Sequence, residues 1–366
     1  TRRAASARAT GDLVPVGRRT LPPVTVLIEY AQLPDRLVLW VLRGAALAAK
    51  TVAIRPAAVE GMVSDLRQAV REPSGTHWPD AASRLAAVLI GPALEAIGPG
   101  KRLVFVPDGA LHEVPFALLR DPRSGRYLCE DHVVSVAPSA RIFRRALEHD
   151  AALAALPGRA ALVVADPAFD RELYPRLGRL DASAAEADEI AGDFAGSRVL
   201  KAEAASKATF LHAASGFRLV HFAGHAVVNP QAPLLSQLLF ARDAADRSGG
   251  LLYSGEMLGL RLPRTRLVVL ASCSTASGRV SRTEGVESLA RPFLAAGVPA
   301  VVASLWDVDD AAASAFIRRF YRHLARTFDA AAALREAQVE ALAERSGAAA
   351  DMRTWAAFEL IGGNAW

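Results

Sequence analysis

His225 and Cys273 are the two residues of this chain whose types and placement could do covalent chemistry together. Each stands where a short apolar run stops. Arg218-Leu-Val-His-Phe-Ala leads into Gly224-His225, and Arg266-Leu-Val-Val-Leu-Ala-Ser leads into Cys273-Ser274-Thr275. Short apolar runs bounded by polar residues or glycine read as buried parallel strands. In open α/β sheets, reacting groups collect just beyond the carboxyl ends of such strands. A cysteine reacts as its thiolate and needs a base or cation nearby; imidazole is the usual proton carrier. The pairing therefore points to acyl chemistry at Cys273 with His225 as base. Gly224 would permit a sharp strand exit and a close backbone approach. Taken alone, Cys273 would read as a small core hydrophobe. The polar Ser272, Ser274 and Thr275 around it argue instead for a strand exit.

His221 lies inside the first of these runs. On period-two alternation it shares a face with Leu219 and Ala223, so a buried, hydrogen-bonded structural histidine is expected. Two histidines four apart suit a metal site on a helix, not on a strand, and no third histidine or carboxylate lies close by. No metal and no cofactor are expected. His112 reads as a turn residue, Cys129 as core or inert surface, and Glu284 and Glu287 as the start of the helix after the nucleophile loop.

The positioning elements follow from pattern. Residues 24–30 and 36–42, joined by Pro34-Asp35, read as a hairpin. Helical periodicity covers 57–70 and 80–97. A strand at 102–106 runs into the turn Pro107-Asp108-Gly109. The chain is extended over 127–136 and helical over 138–148. Pro157-Gly158 closes an Ala-rich stretch and marks a boundary between halves. Beyond it come strands at 160–165, 198–200, 299–305 and the two runs above, with helices at 182–194, 206–214, 283–295, 311–326 and 330–345. Residues 237–240 and 251–253 read as a hairpin with 243–250 between them. Phe316, Phe320 and Leu324 recur at i+4, one stripe facing a core. Such alternation predicts a largely parallel sheet covered on both faces. No internal repeat with a 20–50 residue period is present. The expected division is a basic linker at 1–20, an N-terminal α/β half at 21–157 and a second half at 158–366.

At 366 residues, 52% hydrophobic and 22% charged, the chain can bury a large core. Two cysteines make no disulfide framework, and without C-x-x-C pairs no thiolate zinc site is expected. A reducing, cytoplasmic setting is the default expectation. No 18-residue apolar stretch predicts a membrane span, and no apolar core follows the first arginines to make a secretory signal. The net charge of +5 concentrates at the start, where Arg2, Arg3, Arg8, Arg18 and Arg19 face Asp12 alone. The rest is near neutrality, so this domain is not expected to bind nucleic acid directly. The basic lead-in reads as a flexible join to something upstream.

One ordered string of motifs is specific. It comprises Pro107-Asp-Gly-Ala-Leu-His-Glu-Val-Pro-Phe116, Ala137-Pro-Ser139, His221-Phe-Ala-Gly-His225-Ala226 and Leu267-Val-Val-Leu-Ala-Ser-Cys273-Ser-Thr275. It continues through Glu284-Gly285, Leu289-Ala-Arg-Pro-Phe-Leu-Ala-Ala-Gly297, Ala303-Ser-Leu-Trp306-Asp-Val-Asp-Asp310, Ala333-Leu-Arg-Glu-Ala-Gln338 and Trp355-Ala-Ala-Phe-Glu-Leu360. This string resembles the CHAT family of the caspase–separase clan of cysteine peptidases and covers nearly everything after residue 20. His225 precedes Cys273 by 48 residues, close to the roughly 50 that separate the same pair in caspases.

The resemblance implies an α/β protein, a caspase-like α/β/α sandwich with a mostly parallel central sheet, preceded by a smaller pseudo-caspase-like α/β half. It implies a cysteine endopeptidase with a His225–Cys273 dyad and an oxyanion hole from the backbone N–H groups of Ala226 and Cys273. Many relatives have glycine after the histidine and alanine before the cysteine. Ala226 and Ser272 depart from both, and a backbone donor survives the first change. Asp307 and Asp310 fall where caspase-like folds build the P1 pocket and would favour a basic residue there; the alternative is that Asp309 or Asp310 caps the next helix. Relatives usually carry helical repeats ahead of this domain, so a helical-repeat sensor or partner protein is expected beside a protein or peptide substrate. Low activity is expected until a partner orders the loops at 226–250 and 274–283. A catalytically silent caspase-like scaffold that mediates assembly is the alternative.

Overall fold

β1 (Thr25–Leu33) and β2 (Arg36–Arg43) form the expected hairpin, and β2 buries alternate residues, Leu37, Leu39 and Val41. β3 (Ala46–Val52) adds an edge strand. The computed structural model of the chain describes residues 21–71, 77–229, 231–243, 246, 248–271, 287–344 and 351–363. After β3 come α1 (Pro56–Arg71), α2 (Trp78–Leu89), β4 (Arg102–Val106), α3 (Leu128–Asp131), β5 (Val133–Val136) and α4 (Ala140–Ala154). The second half runs β6 (Ala161–Pro167), α5 (Asp181–Asp193), β7 (Arg198–Ala202), α6 (Lys207–Ala213), β8 (Leu219–Ala223), β9 (Ala226–Val227), β10 (Gln237–Leu239), β11 (Leu251–Tyr253), α7 (Ser254–Met257) and β12 (Leu267–Leu270). It closes with α8 (Glu287–Ala295), β13 (Ala300–Ser304), α9 (Asp310–Thr327), α10 (Ala330–Ala343), α11 (Met352–Trp355) and β14 (Phe358–Gly362).

Among the described residues, eleven strands form one sheet in the order β3-β2-β1-β4-β5-β14-β13-β12-β8-β6-β7. β1, β4 and β5 are parallel to one another, and so are β13, β12, β8, β6 and β7. β14 joins the two blocks, running antiparallel to β13 and parallel to β5. The blocks therefore point in opposite directions, and one sheet spans both sides of the division expected at Pro157-Gly158. A second, three-stranded sheet has the order β11-β10-β9.

Strands β6, β8, β12 and β13 are buried along their whole length because helices cover both faces. One face packs on α1, α2, α5, α9 and α10. The other packs on α4, α6 and α8. The i+4 stripe of α9, Phe316, Phe320 and Leu324, is buried as the pattern predicts, each side chain contributing about 1.5–3 kcal/mol. The helix is held at its start by Asp309, whose carboxylate accepts the N–H groups of Ala311 and Ala312.

Candidate active site

β8 and β12 are neighbours, parallel and in register, with Leu219 opposite Leu267 and Phe222 opposite Leu270. The pairing extends one step further, since Ala271 N–H donates to the Phe222 carbonyl at 3.0 Å. His225 follows β8 at that same edge of the sheet. Cys273, its backbone N–H, Glu284 and the 274–283 loop lie outside the described residues.

Gly224 makes the exit from β8 possible by having no side chain. A Cβ there would stand 2.7 Å from the buried Phe222 ring and 3.1 Å from Pro167. The constraint is close approach, not a left-handed backbone.

His225 is only 6% exposed. Its Nε2 lies 2.8 Å from the Gly178 carbonyl. A carbonyl only accepts, so Nε2 carries the proton and Nδ1 is left as the basic nitrogen of the neutral ring. The Phe169 ring meets the imidazole edge to face at 5.0 Å. Both contacts come from the 168–180 segment between β6 and α5, which has no regular secondary structure after Pro167. No side-chain reading of the sequence points to Gly178, because it acts through its backbone.

Ala226 begins β9. Leu239 N–H donates to the His225 carbonyl at 2.9 Å, and Ala226 sits opposite Leu238. In an antiparallel ladder this makes Ala226–Leu238 a non-hydrogen-bonded pair. The Ala226 N–H therefore points away from β10, at the outer edge of the small sheet.

The three carboxylates after β13 separate. Asp307 is exposed. Asp309 caps α9. Asp310 reaches sideways to the start of α5, accepting from Ala182 N–H at 2.9 Å and from the Ser183 hydroxyl at 2.5 Å. His221 is fully buried, as alternation predicts. The Tyr321 hydroxyl lies 3.2 Å from its Nδ1, and Glu186 Oε1 stands 3.2 Å from its Nε2. That second contact is off hydrogen-bond alignment and is electrostatic in character. Cys129 is buried, and burial, with Glu130 beside it, pushes its thiol up to about 12. Among the described residues no three His, Cys, Asp or Glu side chains gather as metal ligands, and no helix is long and apolar enough to cross a membrane.

Sequence and structure comparisons agree with this architecture. The CHAT domain family matches residues 79–363. Tetratricopeptide repeat protein 28 from human and from mouse are each 30% identical over 302 residues, 73% of this chain. The chain spans 12% of their length. The solved Saccharomyces cerevisiae separase–securin complex is similar over 93% of this chain and 30% of that one, with a TM-score of 0.57 at 11% identity. That likeness is one of fold, and the fold is caspase-like. The chain belongs to the CHAT domain family.

Proposed function

We propose that the chain is a cysteine endopeptidase domain acting through His225 and Cys273. The observation that carries this reading is the in-register β8–β12 pairing, which brings Ala271 beside Phe222, three residues before His225. Cys273 is two residues on from Ala271, a reach of at most about 7 Å. In the proposed reaction the Cys273 thiol gives its proton to His225 Nδ1 and the thiolate attacks the scissile carbonyl carbon. The oxyanion takes hydrogen bonds from the N–H groups of Ala226 and Cys273. The tetrahedral species collapses, the C–N bond breaks, and the imidazolium returns its proton to the leaving amine. Water, deprotonated by the same imidazole, then hydrolyses the thioester and restores the thiol.

Asp307 and Asp310 are proposed to supply negative charge to the P1 pocket, Asp307 from the exposed side and Asp310 from the first turn of α9, where its carboxylate reaches the start of α5. The curated relatives are named for tetratricopeptide repeats and are far longer than this chain. This supports a helical-repeat region or partner protein as the gate on activity. The burial of His225 beneath Phe169 and Gly178 fits a site that opens on such a signal.

A cysteine-directed electrophile such as iodoacetamide tests the reading. Labelling of Cys273 but not of Cys129, abolished in His225→Ala, supports the peptidase. No labelling of Cys273, with or without a candidate partner, supports a silent scaffold.

A further inference from the structure

β6 does not end cleanly. Its pairing with β7 shifts register between Ala165 and Pro167, so Asp166 is an extra, bulged residue, in a parallel pair where bulges are rare. Its φ is +42°, in the left-handed region that a residue with a side chain seldom takes. The side chain is nonetheless buried. Bulges beside reactive sites commonly re-aim one side chain, and such backbone outliers persist only where the surroundings hold them.

The carboxylate is aimed at the far end of the segment that covers His225. Asp166 Oδ1 accepts the Leu180 N–H at 3.0 Å. Oδ2 accepts Arg179 Nε at 2.6 Å and lies 2.5 Å from a second Arg179 nitrogen. Gly178, the next residue back, supplies the carbonyl that accepts from His225 Nε2. From the other side, Asp310 holds Ala182 and Ser183. The Gly178 carbonyl is thus fixed by charge-assisted bonds on the residues that follow it, within a stretch lacking ladder bonds of its own.

We propose that Asp166 is a positioning residue: by clamping Arg179 and Leu180 it holds the Gly178 carbonyl on His225 Nε2, and so sets the tautomer and orientation of the imidazole. Its chemical consequence rests on the peptidase reading; the positioning itself does not.

The test uses the full chain, nitrogen-15 labelled, with Asp166→Gly, Asp166→Asn and Arg179→Ala variants. Glycine keeps the left-handed backbone without strain and removes the carboxylate, so the fold is retained while the clamp is lost. Imidazole nitrogen shifts report the tautomer of His225 directly. The parent should show the Nε2–H form, Asp166→Gly a mixture of both forms, and Asp166→Asn an intermediate pattern, since its amide oxygen still accepts from Leu180. Alkylation of Cys273 by iodoacetamide should slow by about 10- to 100-fold in Asp166→Gly, the scale of a misplaced reacting group. An unchanged tautomer in a folded Asp166→Gly protein overturns the proposal. If Cys273 in the parent reacts no faster than a free cysteine, both alone and with a candidate partner, the peptidase reading fails, while the tautomer measurement still decides the role of Asp166.

Discussion

Asp309 and Asp310 are consecutive residues whose carboxylates serve different helices. Asp309 accepts the Ala311 and Ala312 N–H groups at the start of its own helix, α9. Asp310 accepts from Ala182 and Ser183 at the start of α5. Both helices lie on the same face of the sheet, and Ser314 adds a bond from α9 to the Ala182 carbonyl. The pair thus locks the start of α5, which follows the cover of His225, to the helix that follows β13.

The three carboxylates can be separated by substitution. Asp309→Ala should lower stability by about 0.5–2 kcal/mol, the usual cost of a lost cap. Asp310→Ala should cost about 1–3 kcal/mol by leaving the Ala182 N–H and Ser183 hydroxyl without their acceptor. Asp307→Ala, on an exposed side chain, should cost no more than about 1 kcal/mol, the ceiling for an exposed polar or charged contact, and instead weaken selection of basic P1 residues in a peptide library. Urea denaturation and library profiling read the two effects apart. An unaltered P1 profile in Asp307→Ala removes that residue from the pocket.

Gly224→Ala should be destabilising despite its small size. The added methyl meets the Phe222 ring, which is itself packed at 5.0 Å on Phe240, and the Pro167 ring behind the Asp166 bulge. Neither is the end of a flexible chain. Overpacking of this kind costs about 1–3 kcal/mol, and because His225 is the next residue, Cys273 alkylation should fall with it. A variant with the parent's melting temperature and labelling rate would show that the contact relaxes freely.

The buried central strands were legible because they are apolar on both faces. The runs at 219–223, 267–270 and 300–304 stand almost as the pattern draws them. The edge strand β3 was not: Ala46–Val52 is mostly exposed and Ala-rich, so no alternation survives. The helical periodicity over 80–97 stops at Leu89, because Gly91-Pro92 cannot continue it and a short 3-10 turn follows. The extended stretch at 127–136 contains the one-turn helix α3 before β5. β14 pairs two blocks distant in sequence, and nothing local announces that partnership. At the site, His225 and the end of β12 were readable, whereas Gly178 and Asp166 were not. One acts through a carbonyl and the other through a bulge whose partners lie 13 and 14 residues on. The available signal was an aspartate before proline at the end of an apolar run, a spot where the backbone is already restricted.

Stability should fall on the alkaline side. Burial raises the Cys129 thiol to about 12 from an ordinary 9.0 and lifts the Tyr30 and Tyr321 hydroxyls well above 10.0. A raised folded value means that the native state keeps its proton where the unfolded chain has lost it. The stabilisation is complete below about pH 9 and declines as pH rises, by about 1.4 kcal/mol per pH unit for each such group. Urea midpoints should be flat to about pH 8.5 and drop beyond it, Cys129 first and the tyrosines next. Cys129→Ala should delay the onset by about one pH unit; a midpoint that stays level to pH 11 would contradict the assignment. The same protonated thiol should resist iodoacetamide at pH 8 until the protein unfolds.

His221 lies within β8 and His225 just beyond its end, and the two should divide fold from chemistry. His221 is sealed between Tyr321 and Glu186, all three buried. Removing the imidazole opens a cavity in the core and takes the ring partner from the buried Tyr321 hydroxyl, a loss of about 2–5 kcal/mol. His221→Ala should therefore unfold at markedly lower temperature, while the fraction still folded alkylates Cys273 at the parent rate. His225→Ala gives up one bond to the Gly178 carbonyl and should lose only about 1 kcal/mol. Its cysteine, deprived of the base, should label at least 100-fold more slowly. Thermal unfolding beside alkylation kinetics on the two variants gives four numbers. If the two histidines shift both quantities alike, the division between a structural imidazole within β8 and a reacting one just beyond it is wrong.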